Sequence, residues 1–107
     1  MCYMLDANAF ILLLTGHPDV VRKAAGCGEG EIVLSAVAFG EVAHGSEHGK
    51  PPSPEVLQKT IRRIPVLPFD EAAAMAYARL PFKRGSYDRL IAAHAISLGL
   101  TLVTANL

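Results

Sequence analysis

The chain has 107 residues, enough for one domain and too few for two; half of them are hydrophobic and only 7% aromatic. Ten basic and ten acidic residues leave a formal net charge of zero, which excludes a general polyanion-coating role. The two cysteines, Cys2 and Cys27, lie far apart with no C-x-x-C spacing, so a disulfide framework is not expected and the reducing cytoplasm is the predicted compartment. The N-terminus has no basic stretch followed by a long apolar run, and no apolar run approaches the ~20 residues of a membrane helix. Neither a signal peptide nor a membrane anchor is predicted.

In chain order, residues 2–5 read as a short buried strand, and Asp6 caps an apolar helix over 7–14. Thr15-Gly16-His17-Pro18 breaks the helix. Residues 19–25 form a second short helix, and Gly26-Cys27-Gly28-Glu29-Gly30 is a loop. Ile32-Val33-Leu34 is a compact strand, and Ser35 caps a helix running to about His44, with Gly45 as its stop. After a loop over 47–54, Ser53-Pro54-Glu55 starts a helix that runs to about Arg63. Pro65 to Pro68 is a short strand, Asp70 caps a helix to about Leu80, and 81–86 is a basic loop. A helix over 87–98 stops at Gly99, and 100–104 is the last strand. Short apolar strands alternating with helices predict an α/β fold. Its parallel sheet of about four strands is covered by helices on both faces in a single domain.

In an open parallel sheet, sites form outside the carboxyl ends of the strands. Asp6 follows the first strand, Glu41 lies within two helical turns of the second, Asp88 opens the last helix, and Thr104 and Asn106 follow the last strand. Taken singly, Asp6 and Asp88 are ordinary helix-start residues, and Glu41 is an ordinary solvated helix residue. Their shared edge makes the case. Three gathered carboxylates raise one another's pKa unless a cation is present, and a hard divalent ion such as Mg²⁺ or Mn²⁺ resolves the repulsion. Such a site suits phosphodiester hydrolysis. Arg79, Lys83, Arg84 and Arg89 form a basic run beside Asp88 that could guide an RNA backbone, with Lys83, Arg84 and Arg89 as the candidate contacts.

Other chemistries fit less well. Glu41 and His44 give one E-x-x-H, where carboxylate-bridged iron bundles need two. The glycine-rich loop precedes a strand, whereas a phosphate loop follows one. No G-x-S-x-G elbow is present, and Cys27 has no basic residue within three positions to lower its pKa. A phospho-receiver domain needs an acidic pair after its first strand and a late lysine; here Asp6 stands alone and no Lys follows Lys83. His94, among alanines, reads as a helix-face residue with satisfied hydrogen bonds.

The stretches Met4-Leu5-Asp6-Ala7-Asn8-Ala9, Leu34 to Val42 around Glu41, Tyr87-Asp88-Arg89-Leu90-Ile91-Ala92-Ala93-His94-Ala95 and Leu102-Val103-Thr104-Ala105-Asn106 resemble PIN-domain proteins, most closely the VapC toxins of bacterial toxin–antitoxin pairs. The resemblance spans the chain in order. It implies a PIN-like three-layer fold and a metal-dependent ribonuclease toxin, usually a homodimer held inactive by a cognate antitoxin. By position, Asp6, Glu41 and Asp88 would be the catalytic and metal-site acids, with Asn8, Thr104 and Asn106 as supporting polar residues. Members of that family usually continue past the T-x-N block with a further acid and strand, and this sequence stops at Leu107. The alternative reading is therefore a degenerate PIN domain that binds an antitoxin or a second copy without cutting. Self-association through apolar helix faces is expected in either case.

Overall fold

A computed structural model of the chain describes residues 1–104. Its elements follow the order β1 (Tyr3–Leu5), α1 (Ala7–Leu14), α2 (Pro18–Ala25), β2 (Ile32–Ser35), α3 (Ala36–Glu47), α4 (Pro54–Thr60), β3 (Val66–Leu67), α5 (Glu71–Ala78), α6 (Tyr87–Leu98), β4 (Thr101–Val103). This is the alternation predicted from the sequence.

The four strands pair in parallel in the order β3-β2-β1-β4. The chain steps from β1 outward to β2 and β3, then crosses to the other side of β1 for β4. That reversal makes the carboxyl end of β1 the switch point where an open parallel sheet forms its crevice. The register aligns Leu5 with Leu34 on one side and with Val103 on the other. One residue further, Asp6 and Thr104 leave the sheet beside Ser35, which is still paired with Leu67 as the last residue of β2, and the Asp6 N–H donates to the Val103 carbonyl at 3.0 Å.

Strands this short are held by burial. Met4, Val33 and Leu34 are fully enclosed, with Phe10 of α1, Ala38 of α3 and Ile91 of α6 against them. β1 reads as an uninterrupted apolar run because helices cover both faces of the sheet.

The helix starts follow the predicted caps. Asp6, Ser35, Ser53 and Asp70 each accept a backbone N–H of the following turn. Ser86, read from the sequence only as the end of the basic loop, does the same for α6. At the far ends, Gly99 takes a left-handed φ of +67° and stops α6 as expected. Gly45 does not stop α3, which runs on to Glu47. Its Ser46 is buried and donates to the Pro52 carbonyl, and the left-handed turn falls at Gly49 instead, with φ +86°. α4 and α5 end earlier than predicted, at Thr60 and Ala78.

Ile91→Ala removes a fully buried side chain from the face of α6 that meets the sheet. It should cost about 2–5 kcal/mol in urea unfolding. Met75→Ala, on the exposed side of α5, should stay within about 0.5 kcal/mol of wild type.

Candidate active site

Asp6 is placed by two constraints. β1 delivers it to the switch point, and its Oδ1 accepts the Ala9 N–H at 2.7 Å as the cap of α1. It is only 8% exposed. Burial pushes its carboxyl above the usual carboxylate range, the negative charge of Asp88 adds to this, and the backbone N–H groups of Ala9 and Asn8 pull the other way.

Glu41 sits on α3, almost two turns from its Ser35 cap. Burial raises its carboxyl pKa most, followed by the charges of Asp88 and then Asp6. Its Oε1 is buried and has no hydrogen-bond partner. Asp88 lies exposed in the first turn of α6, where the helix dipole favours an acid. The structure therefore sets the charges of Asp6, Glu41 and Asp88 against one another.

Among the described residues no salt bridge engages any of the three; the ion pair found joins Arg22 and Asp19 on the surface. Nor are three His, Cys, Asp or Glu side chains gathered tightly enough to hold an ion as they stand. The fit to a hard divalent cation is thus one of chemistry and charge. Oxygen donors repel one another without a counter-charge, and one buried acceptor is left over.

The supporting residues differ in their placement. Asn8 is exposed in the first turn of α1. Thr104 is exposed and borders a groove between β1, β4 and helices α1 and α2, a groove that none of the three acids lines. Asn106 lies outside the described residues. Lys83 and Arg84 stand exposed on the basic loop. Arg89 is half-buried, and its Nη2 donates to the Pro81 carbonyl at 2.6 Å, fastening that loop to α6.

His94 contributes something that its sequence context did not reveal. It is buried, its Nδ1 lies 2.9 Å from the Ser35 Oγ, and Phe69 meets its ring edge-on. Burial holds its pKa below the ordinary histidine value, against the opposing pull of Asp70 and of a backbone hydrogen bond to Pro68. A neutral ring accepts at one nitrogen and donates at the other. The Ser35 hydroxyl, which accepts the Val37 N–H as the α3 cap, can donate its proton to His94. One bond thus ties the helix carrying Glu41 to the helix carrying Asp88. The signal in the sequence was a small hydroxyl at a strand end and a lone polar residue on an apolar helix face, and nothing local pairs residues 59 positions apart.

Ser35→Ala should cost about 2–4 kcal/mol, as it removes a cap and leaves a buried ring nitrogen unpaired. The acids give a pH-dependent prediction for the protein in EDTA. A folded pKa above the unfolded value means that the native state binds more protons within the window between the two. Stability from that group therefore falls as pH rises through the window and stays reduced above it. His94 acts with the opposite effect, losing stability on acidification through the ordinary histidine range. The difference between Glu41→Gln and wild type isolates the acid. The variant should melt higher at neutral pH, and its advantage should shrink as pH falls through the raised pKa of Glu41 toward the ordinary carboxylate value. A melting-temperature difference that does not change with pH would contradict the repulsion.

Comparison with known proteins identifies the family. The sequence matches the PIN domain family over residues 3–107. It is 34% identical to the tRNA(fMet)-specific endonuclease VapC of Shigella flexneri, over 97% of this chain and 86% of that protein. Its fold is similar to crystal structures of VapBC2 from Rickettsia felis bound to a promoter DNA fragment (TM-score 0.81, 27% identity, covering 99% of this chain and 89% of that one). It is also similar to DNA-bound VapBC from Salmonella typhimurium (TM-score 0.79, 31% identity, 97% and 86%). The family match over residues 3–107, the four-stranded parallel sheet and the similarity to these proteins over nearly all of this chain make it a member of the PIN-domain family, in its VapC branch.

Proposed function

We propose that the chain is a metal-dependent endoribonuclease, the toxin of a toxin–antitoxin pair, which hydrolyses RNA phosphodiester bonds. The observation that carries this reading is Glu41, whose Oε1 is buried without a partner and whose carboxyl feels the charges of Asp88 and Asp6. Relatives named as ribonucleases support it.

Asp6, Glu41 and Asp88 would hold Mg²⁺ or Mn²⁺, some directly and some through water. When bound, such an ion supplies a Lewis acid for the phosphoryl oxygen and lowers the pKa of a water. The chain's own contribution is placement. The Ala9 N–H fixes one oxygen of Asp6, so that carboxylate cannot swing away from the switch point. Burial of Glu41 Oε1 leaves an acceptor aimed at no protein donor, suited to orient a water or take its proton. Lys83 and Arg84 are free to meet the RNA backbone, with Arg89 holding their loop.

We also propose an antitoxin partner and a homodimer. Solved relatives are toxin–antitoxin complexes, and Val21, Met75, Ile96 and Leu98 are large apolar side chains exposed on helices. Among the described residues no helix is long and apolar enough to cross a membrane.

A second reading, a PIN domain that binds partners without cutting, draws on the absence among the described residues of a ready-made set of three metal ligands. One experiment separates the two. Mn²⁺ should raise the melting temperature of wild type, because an ion that binds only the folded state stabilises it. It should also support cleavage of tRNA(fMet) or single-stranded RNA that EDTA abolishes. Asp6→Asn and Asp88→Asn should lower cleavage by about 100-fold or more, at least as much as losing a residue that supports a metal ligand. Both should remain folded, since Asn also caps a helix. A folded wild type with no Mn²⁺ shift and no cleavage would establish the partner-binding reading.

A further inference from the structure

A cleft of about 640 Å³ opens between α3 and the start of α6, lined by Val37, Gly40, Glu41 and His44 of α3 and by Tyr87 and Leu90 of α6. Its size falls within the roughly 300–1,000 Å³ typical of small-molecule sites. Glu41 is the one member shared with the proposed metal site, and Tyr87 directly precedes Asp88. Three of its features have no use in the hydrolysis chemistry.

The first is Tyr87, whose side chain is 62% exposed. Among the described residues its ring pairs with no other aromatic and its hydroxyl makes no hydrogen bond. The second is His44, whose ring is stacked on His48 at 4.3 Å, with the His48 Nδ1 2.7 Å from the His44 carbonyl. That stacking holds an imidazole, able to donate and accept, at the cleft wall. The third is Gly40. Glycine inside a helix costs about 1 kcal/mol relative to alanine. Gly40 does not have a left-handed φ, and a Cβ built there would meet nothing within 4 Å. Neither backbone strain nor packing requires it. What its missing side chain does is leave the cleft open beside Glu41.

We propose that this cleft is a nucleobase subsite. The base of a single-stranded ribonucleotide next to the cleaved phosphate stacks on Tyr87, rests on Val37 and Leu90, and turns its hydrogen-bonding edge toward His44. The occupant is a base because a neutral aromatic ring tolerates a wall bearing Glu41, where a phosphate would be repelled. It is single-stranded because only an unstacked base can reach an aromatic side chain in a cleft. This assignment rests on the ribonuclease reading for the neighbouring phosphate but not for the binding of the base.

The chain contains no tryptophan, so Tyr87→Trp places a single reporter on the cleft wall. Titration of that variant in EDTA with an adenylate hexanucleotide should quench its fluorescence, and an abasic ribose-phosphate hexamer should not. Gly40→Leu in the same background should fill the cleft and weaken the quench roughly 10- to 100-fold, the range expected for one lost base stack. Circular dichroism should show the helices retained. In steady-state cleavage, Tyr87→Ala should raise KM by a similar factor with kcat little changed, and Tyr87→Phe should restore it. Four results would overturn the subsite: no quench by the adenylate oligomer, equal quench by the abasic one, a quench unaffected by Gly40→Leu, or a fluorescence change driven by protein concentration alone, which would mean that a second copy covers the cleft. Metal-dependent cleavage lost in Asp6→Asn, together with any of these, would leave the ribonuclease reading intact while removing the subsite.

Discussion

Everything at the candidate site depends on the double pairing of β1. Three residues form this strand, and alone it would have no stability. It exists because β2 and β4 bond it from both sides and because Met4 and Leu5 are enclosed between helical layers. The central position also makes β1 the strand at which the chain reverses direction across the sheet. Its carboxyl end is therefore the crevice, and the first residue past it is an acid. Asp6 then uses its side chain to start α1. The same carboxylate ends the strand, begins the helix and faces two other acids. A neutral residue of the same shape preserves the first two roles and removes the third, and for that reason Asp6→Asn separates fold from chemistry.

The repulsion at the sheet edge has to be withstood by the rest of the fold. Glu41 and Asp88 come from helices on different strand connections, and among the described residues no salt bridge engages either of them. What holds their helices in register is apolar packing and one buried polar link, Ser35 to His94. The link lies deep where the acids lie at the rim. Ser35 is the last residue of β2 and the cap of α3, so its hydroxyl is fixed by backbone on both sides. His94 lies under two turns along α6 from Asp88. A buried pair of neutral groups suits this position, because its strength does not depend on the charge state of the site above it.

Much of this was legible in the sequence. The caps at Asp6, Ser35, Ser53 and Asp70 and the glycine stop at Gly99 are local devices, read from a few residues, and they fall where they were expected. The order of strands and helices followed from short apolar runs between those caps. Gly45 misled because a glycine marks a helix end only when the surroundings let it turn left-handed, and here the buried Ser46 and its bond to the Pro52 carbonyl carry α3 onward. The basic run also read as more available than it is. Arg89 is engaged with the backbone of its own loop, a contact across eight residues that charge counting does not show. The Ser35–His94 bond was the least legible, because it is purely tertiary.

The charge balance of the chain bears on how it would hold RNA. Proteins that grip nucleic acid through phosphate contacts alone show many cations on one face and a steep salt dependence. Here the net charge is zero, and the loop beside Asp88 offers Lys83 and Arg84 while Arg89 serves the fold. Two surface cations beside three acids supply little net attraction for a polyanion. Affinity in the ribonuclease reading must then come from elsewhere. A divalent ion held by the acids would bridge protein and phosphate, and neutral contacts to a base would add to it. The exposed Tyr87 stands one residue before Asp88, and the glycine that leaves the cleft open stands one residue before Glu41. Two of the three acids, Glu41 and Asp88, are thus each preceded in the chain by a residue that shapes the proposed base subsite. A chain built this way would discriminate among RNAs by which base can leave its stack and enter the cleft, more than by how much charge the RNA carries.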